Sequence, residues 1–160
     1  MKGLLGIGLS VGILAGIWTF VSVELSLVTW VAFVAWACFF AAGGGTTGLK
    51  KGLASNLAGI FWGFMISLGI HLSSSTVALA VMVTVVGFIL CIEAGWSLLS
   101  FIPGGFAGTA VFFGTSFDLL GVLIAVIVGA VLGLVSEIAG AKIQNSIAPA
   151  TPAPAPATSS

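Results

Sequence analysis

Ser100–Gly114 reads SFIPGGFAGTAVFFG, a stretch that combines apolar side chains with one proline and four glycines. Pro103 removes a backbone hydrogen-bond donor, and each glycine removes a side chain that would hold two backbones apart. In a bilayer, freed backbone groups must be satisfied by protein or by water in a cavity. We therefore expect this stretch to form either a closely packed, kinked helix or part of a solute path.

The composition of the whole chain indicates a membrane environment. Of its 160 residues, 59% are hydrophobic and 5% are charged, whereas a soluble globular domain is about 25% charged. A soluble protein of this composition would have almost no polar surface, so the sequence predicts an integral membrane protein. The formal net charge is zero, which gives no basis for nucleic-acid binding.

Six apolar runs of about 17–23 residues are each long enough to cross a bilayer core of roughly 30 Å. They predict an all-α polytopic membrane bundle of about six transmembrane helices, with residues 1–147 forming a single transmembrane domain. The first run has no small-x-small cleavage site near its end, so we interpret it as a retained span. Residues 148–160, rich in alanine and proline, are predicted to be a disordered tail. The six predicted spans are 3–23, 25–42, 49–70, 76–92, 96–113 and 119–138.

Three of the predicted spans carry small residues at every fourth position, which places those residues on one helix face. Such small-xxx-small faces let a neighbouring helix approach closely. We interpret them as helix-packing positions; in the first span, packing within the subunit is preferred over a pore-lining face. The helix-packing candidates are Gly8, Gly12, Gly16, Ser55, Gly59, Gly63, Gly121, Ala125, Gly129 and Gly133.

Few polar residues lie inside the spans, and these define a candidate solute path together with the Pro-Gly stretch. Asn56 lies roughly two turns inside the third span, where its amide needs a neighbouring helix or water as a partner. Thr84 lies near the middle of the fourth span, although a threonine also bonds to its own helix. The candidate path residues are Asn56, Thr84, Pro103, Gly104, Gly105 and Thr109.

The residue types that enzymes and metal sites need are scarce in this sequence. Cys38 and Cys91 both lie in apolar runs, and we interpret them as free, buried thiols. His71 is far from both in sequence, so no metal-ligand spacing is present. The glycine-rich turn at residues 43–48 lacks the spacing of a P-loop. We therefore expect no metal, no cofactor and, in the absence of a catalytic set, no enzyme.

The four lysines, both termini and the turn at Glu93 fall on one side of a six-span topology. The positive-inside rule makes that side cytoplasmic. A five-span alternative, in which the Pro103 stretch only dips into the membrane, would place Lys142 outside and is less favoured. The opposite side would carry Glu24, His71 and Asp118.

The two halves of the chain share a weak internal repeat. Phe39-Phe40 precedes a turn and then Gly59-x-x-x-Gly63, and Phe112-Phe113 precedes a turn and then Gly129-x-x-x-Gly133. Three spans per half would force the halves into opposite orientations, as in the inverted repeats of many transporters. Chance similarity in a membrane sequence rich in glycine and phenylalanine is the alternative.

Several blocks of the sequence carry a family resemblance. They are Cys91-Ile92-x-Ala94, Leu98-Leu99-Ser100-Phe101-Ile102-Pro103-Gly104-x-Phe106-x-Gly108, an aromatic pair before Gly48-Leu49-Lys50 and Gly52-Leu53, and Gly12-Ile13-Leu14-x-Gly16-Ile17-Trp18. With these blocks the chain resembles the YcdZ-like family of small bacterial inner-membrane proteins, a domain family of unknown function. The longer turn with Thr46-Thr47 and the Ala/Pro tail depart from the family pattern. The resemblance implies a bacterial inner-membrane location and no particular activity.

Two functions are compatible with these features. An oligomeric channel or transporter for a small neutral or weakly charged solute would use the small-residue faces and the broken fifth span. In this reading no ionisable residue lies at mid-membrane, which disfavours ion-coupled transport. The alternative is a structural or accessory subunit that packs against a larger membrane complex. The expected partners are membrane lipid and either copies of this chain or the subunits of such a complex.

Overall fold

A computed structural model describes residues 4–73 and 75–147. Within them the chain forms six α-helices and no strands, which confirms the predicted all-α membrane bundle. The tail 148–160, predicted to be disordered, lies outside the described residues. The helices are α1 (Leu5–Glu24), α2 (Thr29–Ala41), α3 (Gly45–Leu72), α4 (Thr76–Ile92), α5 (Ile102–Gly114) and α6 (Leu119–Ile147).

Four helices are long and apolar enough to cross a membrane: α1, α3, α6, and α4 with the turn that follows it, Thr76–Gly95. The other two, α2 and α5, have 13 residues each. At 1.5 Å per residue they are about 20 Å long, which is shorter than a hydrocarbon core of about 30 Å. The second and fifth predicted spans are therefore real apolar helices that are shorter than their apolar runs.

Pro103 begins a helix and does not kink one. It lies in the first turn of α5, where a missing N–H leaves no hydrogen bond unmade and the fixed φ of proline suits the helix. The residues before it form two short 3₁₀ turns, Glu93–Gly95 and Ser97–Leu99. The kink expected in the Ser100–Gly114 stretch is thus absent, and the helical structure is instead interrupted before α5.

The two long helices α3 and α6 each pair with one antiparallel helix and one parallel helix. Gly6 of α1 lies against Gly140 of α6, and the Ser10 hydroxyl donates to the carbonyl of Ser136 at 2.8 Å. Gly69 of α3 likewise lies against Met82 of α4. The short helices pack across the halves, because α2 lies along α6 and α5 lies along α3.

The turns that follow the two short helices have the same backbone hydrogen bonds. After α2, the N–H of Gly44 donates to the carbonyl of Phe39 at 3.1 Å; after α5, the N–H of Phe117 donates to the carbonyl of Phe112 at 3.1 Å. Gly44 and Phe117 both adopt positive φ, 66° and 71°. Glycine adopts this region freely, whereas phenylalanine rarely does. Phe39 and Phe112 therefore each supply the carbonyl that closes the turn after their helix, and the same bond closes the turn after α1, where the N–H of Leu27 donates to the carbonyl of Ser22 at 2.8 Å.

The main hydrophobic core draws on every helix except α4. Trp18, Val31, Ile60, Phe112 and Val122 are among its buried residues, one from each of the other five helices. A smaller cluster of buried side chains joins α4 to α3 and consists of Ile66, Val86 and Leu90. Helix α4 is therefore peripheral to the main core.

Candidate functional site

The Pro-Gly stretch meets α3 at a crossing where two backbones touch. A Cβ on Gly59 would overlap the carbonyl of Gly105, and a Cβ on Gly108 would overlap the carbonyl of Asn56. A Cβ on Gly104 would lie 2.9 Å from the Cβ of Ser55. Close approach of this kind is what small residues permit between membrane helices. In this structure the crossing is therefore closed, with the predicted path residues Gly104 and Gly105 inside the contact.

Polar atoms are buried at the same crossing. The Thr109 hydroxyl contacts the carbonyl of Gly59 at 2.9 Å and that of Gly105, in its own helix, at 3.1 Å. Asn56 and Ser55 are each 2% exposed, and the Asn56 Oδ1 and Ser55 Oγ atoms have no hydrogen-bond partner. An unpaired buried polar atom is costly, so such atoms are uncommon in folded proteins. Asn56 and Ser55 are thus the polar centre of the α3–α5 crossing.

The structure brings together four of the six candidate path residues and separates the other two. Asn56, Gly104, Gly105 and Thr109 meet at the α3–α5 crossing. Thr84 is exposed on α4 and donates to the carbonyl of Ala80 in its own helix at 2.8 Å. Pro103 is exposed in the first turn of α5. Neither of these two side chains contributes to the crossing.

The α2–α6 crossing likewise brings a short helix against a long one. A Cβ on Gly129 would overlap the carbonyl of Ala32. The Trp36 Nε1 donates to the hydroxyl of Ser136 at 3.0 Å, and that hydroxyl donates to the carbonyl of Gly133 at 2.8 Å. Trp36 stands three positions before Phe39, as Thr109 stands three before Phe112. Both crossings therefore pair a glycine contact with a side-chain hydrogen bond from the short helix.

The remaining predicted packing residues behave differently from one helix to the next. A Cβ on Gly63 would lie 3.1 Å from the Phe112 ring, and Ala125 is fully buried. Gly121 lies in the first turn of α6, where its N–H donates to the Asp118 carboxylate at 3.0 Å. These three positions lie on α3 and α6, the helices that carry the crossings.

The glycine face of α1 does not pack within the subunit, contrary to expectation. A Cβ on Gly8, Gly12 or Gly16 would meet nothing within 4 Å. Helix α1 packs instead through a different face, which carries its buried residues Gly6, Ser10, Trp18 and Ser22. Both faces have small residues at four-residue spacing, so spacing alone did not distinguish them.

Glu93 lies beside Trp62, and not with the lysines as the predicted topology had placed it. The Trp62 Nε1 donates to the Glu93 Oε2 at 3.0 Å. Trp62 stands ten positions before Leu72, the end of α3, and eleven positions after Lys51. At 1.5 Å per residue these separations are about 15 Å and about 17 Å along the helix. The carboxylate therefore contacts a residue about midway between Lys51 and Leu72, because α4 ends before it reaches the level of Lys50 and Lys51.

Two cavities flank the broken segment between α4 and α5. One, of about 330 Å³, is lined by Trp62, Phe88, Ile89, Ile92, Glu93 and Trp96. The other, of about 240 Å³, lies at the start of α3 and is lined by Thr46, Thr47, Lys50, Lys51, Ser97 and Leu98. The connection from Glu93 to α5 therefore runs along α3 from the level of Trp62 to the level of Lys50 and Lys51.

Thiols and possible metal ligands are dispersed. Cys38 is buried as expected. Cys91 is exposed, contrary to expectation. In the described part of the chain, no three histidine, cysteine, aspartate or glutamate residues come together as a metal site would require.

Comparison with known proteins places the chain in a family. The model of a family described as a protein of unknown function, DUF1097, matches residues 8–141. The chain belongs to this family. The membership agrees with the resemblance inferred from the sequence blocks, since two relatives carry the YcdZ name.

Curated relatives cover most of the chain. It is 35% identical over 158 residues to the uncharacterized protein YahC of Escherichia coli (strain K12), covering 91% of this chain and 96% of the relative. It is 36% identical to the inner membrane protein YcdZ of the same strain, covering 88% and 87%. It is 34% identical to the inner membrane protein YcdZ of Salmonella typhimurium (strain LT2), covering 88% and 89%. No solved structure matches the chain.

Proposed function

We propose that this membrane protein is a transporter or channel for a small neutral or weakly charged solute, located in a bacterial inner membrane. The location is supported by relatives that bear the name inner membrane protein. The solute-moving function is supported by one observation above all. Each half of the chain lays its short helix on the long helix of the other half, through a crossing that depends on glycine.

In the proposed topology the chain spans the membrane six times, and its first three helices are inverted relative to its last three. Helix α1 runs antiparallel to α6 and α4 runs antiparallel to α3, while α2 and α5 run alongside α6 and α3. The six helices then alternate in direction, so the start of α1 and the end of α6 lie on the side that carries Lys50, Lys51 and Lys142. By the positive-inside rule that end is cytoplasmic. Residues 25–28 and 115–118 then face the opposite side.

The two crossings are the part of the molecule that fits transport. Inverted-repeat transporters bind their solutes near the midplane, where helices are short or interrupted. Here α2 and α5 are the short helices, and the unpaired Asn56 Oδ1 and Ser55 Oγ atoms lie beside one of them. In the closed structure these acceptors are hidden. Separation of α5 from α3 would expose them to a solute that donates hydrogen bonds.

The position of Glu93 widens the solute class that the sequence favoured. The sequence predicts a neutral or weakly charged solute, because no ionisable residue lies at mid-membrane in the six predicted spans. Glu93 lies near the middle of α3, and ionisable residues at such depth mark substrate or proton pathways in membrane proteins. A small solute with a positive charge is therefore included in the proposal.

The oligomeric state is proposed from the outward glycine face of α1. Gly8, Gly12 and Gly16 leave room for a second helix to approach closely. We propose that this face joins copies of the chain. The accessory-subunit alternative uses the same face for unrelated subunits, and native mass spectrometry from mild detergent separates the two by mass.

Flux into proteoliposomes tests the proposed function. Urea and glycerol entry is followed by light scattering, and choline entry is followed with a radiolabel. We expect at least one of these solutes to enter faster than into protein-free vesicles. Asn56→Ala should alter that rate, whereas Asn145→Ala, at an exposed position near the end of α6, should not. The proposal is contradicted if every solute enters at the rate of protein-free vesicles.

A further inference from the structure

The cavity beside Glu93 has the composition of a binding site for a positively charged organic group. It is half-open, has a volume of about 330 Å³ and is lined by six residues, of which three are aromatic and one is acidic. Its volume lies at the small end of the range of ligand pockets, about 300–1,000 Å³. The cavity is separate from the α3–α5 crossing, because none of its lining residues belongs to α5.

One oxygen of Glu93 is held in place and the carboxylate remains able to bind a cation. The Oε2 atom accepts the indole N–H of Trp62 at 3.0 Å. This bond fixes the carboxylate at the wall that Trp62 forms. Glu93 is the one charged residue among the six that line the cavity, so no lysine of the lining neutralises it.

Two of the three aromatic side chains of the cavity are exposed. Trp96 is 73% exposed and Phe88 is 67% exposed. The faces of tryptophan and phenylalanine attract cations, with tryptophan the strongest, and groups of such rings bind quaternary ammonium ions. Together with Trp62 they give the carboxylate an aromatic surround that disfavours a strongly hydrated inorganic ion.

The depth of the cavity adds a requirement for a counter-charge. Glu93 meets α3 about 15 Å from its Leu72 end, among the apolar side chains of Ile89 and Ile92. An ionised carboxylate among apolar side chains is stabilised by a paired cation. An organic cation supplies the missing charge and also covers apolar surface.

We propose that this cavity binds a small monovalent organic cation, a quaternary or alkylated ammonium group, between Glu93 and the rings of Trp62, Phe88 and Trp96. The carboxylate contributes the charge pairing, and the rings contribute cation–π contacts. This binding is independent of the proposed transport, because a solute can occupy the cavity in a chain that moves nothing.

Titration of the purified full chain in a non-ionic detergent tests the proposal by calorimetry. The probes are choline and tetraethylammonium, and 3,3-dimethylbutan-1-ol serves as the neutral isostere of choline. We expect saturable binding of at least one cation and binding of the isostere that is at least about tenfold weaker. Equal binding of choline and its isostere, or no saturable binding of either cation, overturns the proposal.

Substitutions locate the binding. Glu93→Gln keeps an oxygen for the Trp62 indole but removes the charge, and we expect it to weaken cation binding about tenfold or more. Trp96→Leu removes one exposed ring and should weaken binding similarly. The matched controls Glu24→Gln and Trp30→Leu lie outside the cavity lining and should bind as the unmodified chain does. Unchanged affinity in Glu93→Gln contradicts the site, whatever the Trp96 variant does.

The flux experiment and this titration fail independently. Cation binding without flux leaves the site in place and removes the transport proposal. Flux without cation binding leaves transport in place and removes this site.

Discussion

The carboxylate of Glu137 accepts a hydrogen bond of 2.6 Å from the backbone N–H of Gly45, 92 positions earlier in the chain. Gly45 begins α3, so the negative charge lies at the positive end of the helix dipole. Gly44 and Gly45 both have positive φ, 66° and 53°, which lets the turn bring this N–H to the carboxylate. The contact ties the turn between α2 and α3 to α6.

Glu137→Gln should lower the free energy of unfolding by about 1–2 kcal/mol, because a neutral amide accepts a weaker bond than a carboxylate. The measurement is unfolding in mixed micelles with increasing denaturing detergent. Glu24→Gln, which changes an exposed carboxylate at the end of α1, is the control. Equal losses in both variants would contradict the role assigned to Glu137.

Gly59→Ala and Gly129→Ala should each destabilise the protein by about 2 kcal/mol or more, because the added methyl group meets backbone atoms that have no room to move. Gly87→Ala is the matched control, since its Cβ would meet nothing within 4 Å. We expect this control to be neutral or slightly stabilising, since alanine favours helix. The same unfolding assay compares the three variants, and equal stability in all would refute the close crossings.

Ser136→Ala should cost about 1 kcal/mol, because it leaves the buried Trp36 indole N–H without its acceptor. Ser146→Ala, which removes an exposed hydroxyl that bonds within its own helix, should cost nothing measurable. The tryptophan emission of the chain, to which Trp36 contributes, should also shift in the first variant and stay unchanged in the second. An unshifted spectrum with unchanged stability would argue against the hydrogen bond.

Gly12→Ile should reduce the oligomer to smaller species without destabilising the monomer, because nothing in the chain lies within 4 Å of the new side chain. Native mass spectrometry from mild detergent reads the mass directly. Gly87→Ile places the same side chain at another open position on α4 and should leave the mass unchanged. An unaltered oligomer in the Gly12 variant would exclude the α1 face as the interface.

The sequence predicted the class of the fold and the pairing of its glycines better than it predicted their surroundings. Gly59 and Gly129 were identified from spacing alone, and both lie at backbone contacts. Spacing failed on α1, where two faces carry small residues and tertiary packing selects the one with Gly6 and Ser10. A four-residue period shows which residues share a face of one helix, but it does not show which face the partner helix contacts.

The position of Glu93 beside α3 could not be predicted from the sequence either. An apolar run extends from residue 96 to 113, which suggested a full span and a turn at the membrane surface. Pro103 instead begins α5, and the preceding residues form 3₁₀ turns that cover the same distance without an α-helix. Hydropathy reports that a segment is apolar but does not report where its helix begins. The Trp62–Glu93 contact joins side chains 31 positions apart, and neither residue belonged to a recognisable motif.

The proposed inverted arrangement makes a direct prediction for chemical labelling. In a background with Cys38 and Cys91 replaced, single cysteines are introduced at four exposed positions of the described chain. These substitutions are Ser26→Cys, Ser116→Cys, Thr47→Cys and Ser146→Cys.

The decisive measurement is reaction of these cysteines with a membrane-impermeant maleimide in intact cells. We predict that positions 26 and 116 react from outside, and that positions 47 and 146 react only after the membrane is permeabilised. Labelling of positions 26 and 146 from the same side would contradict six crossings and, with them, the two inverted halves.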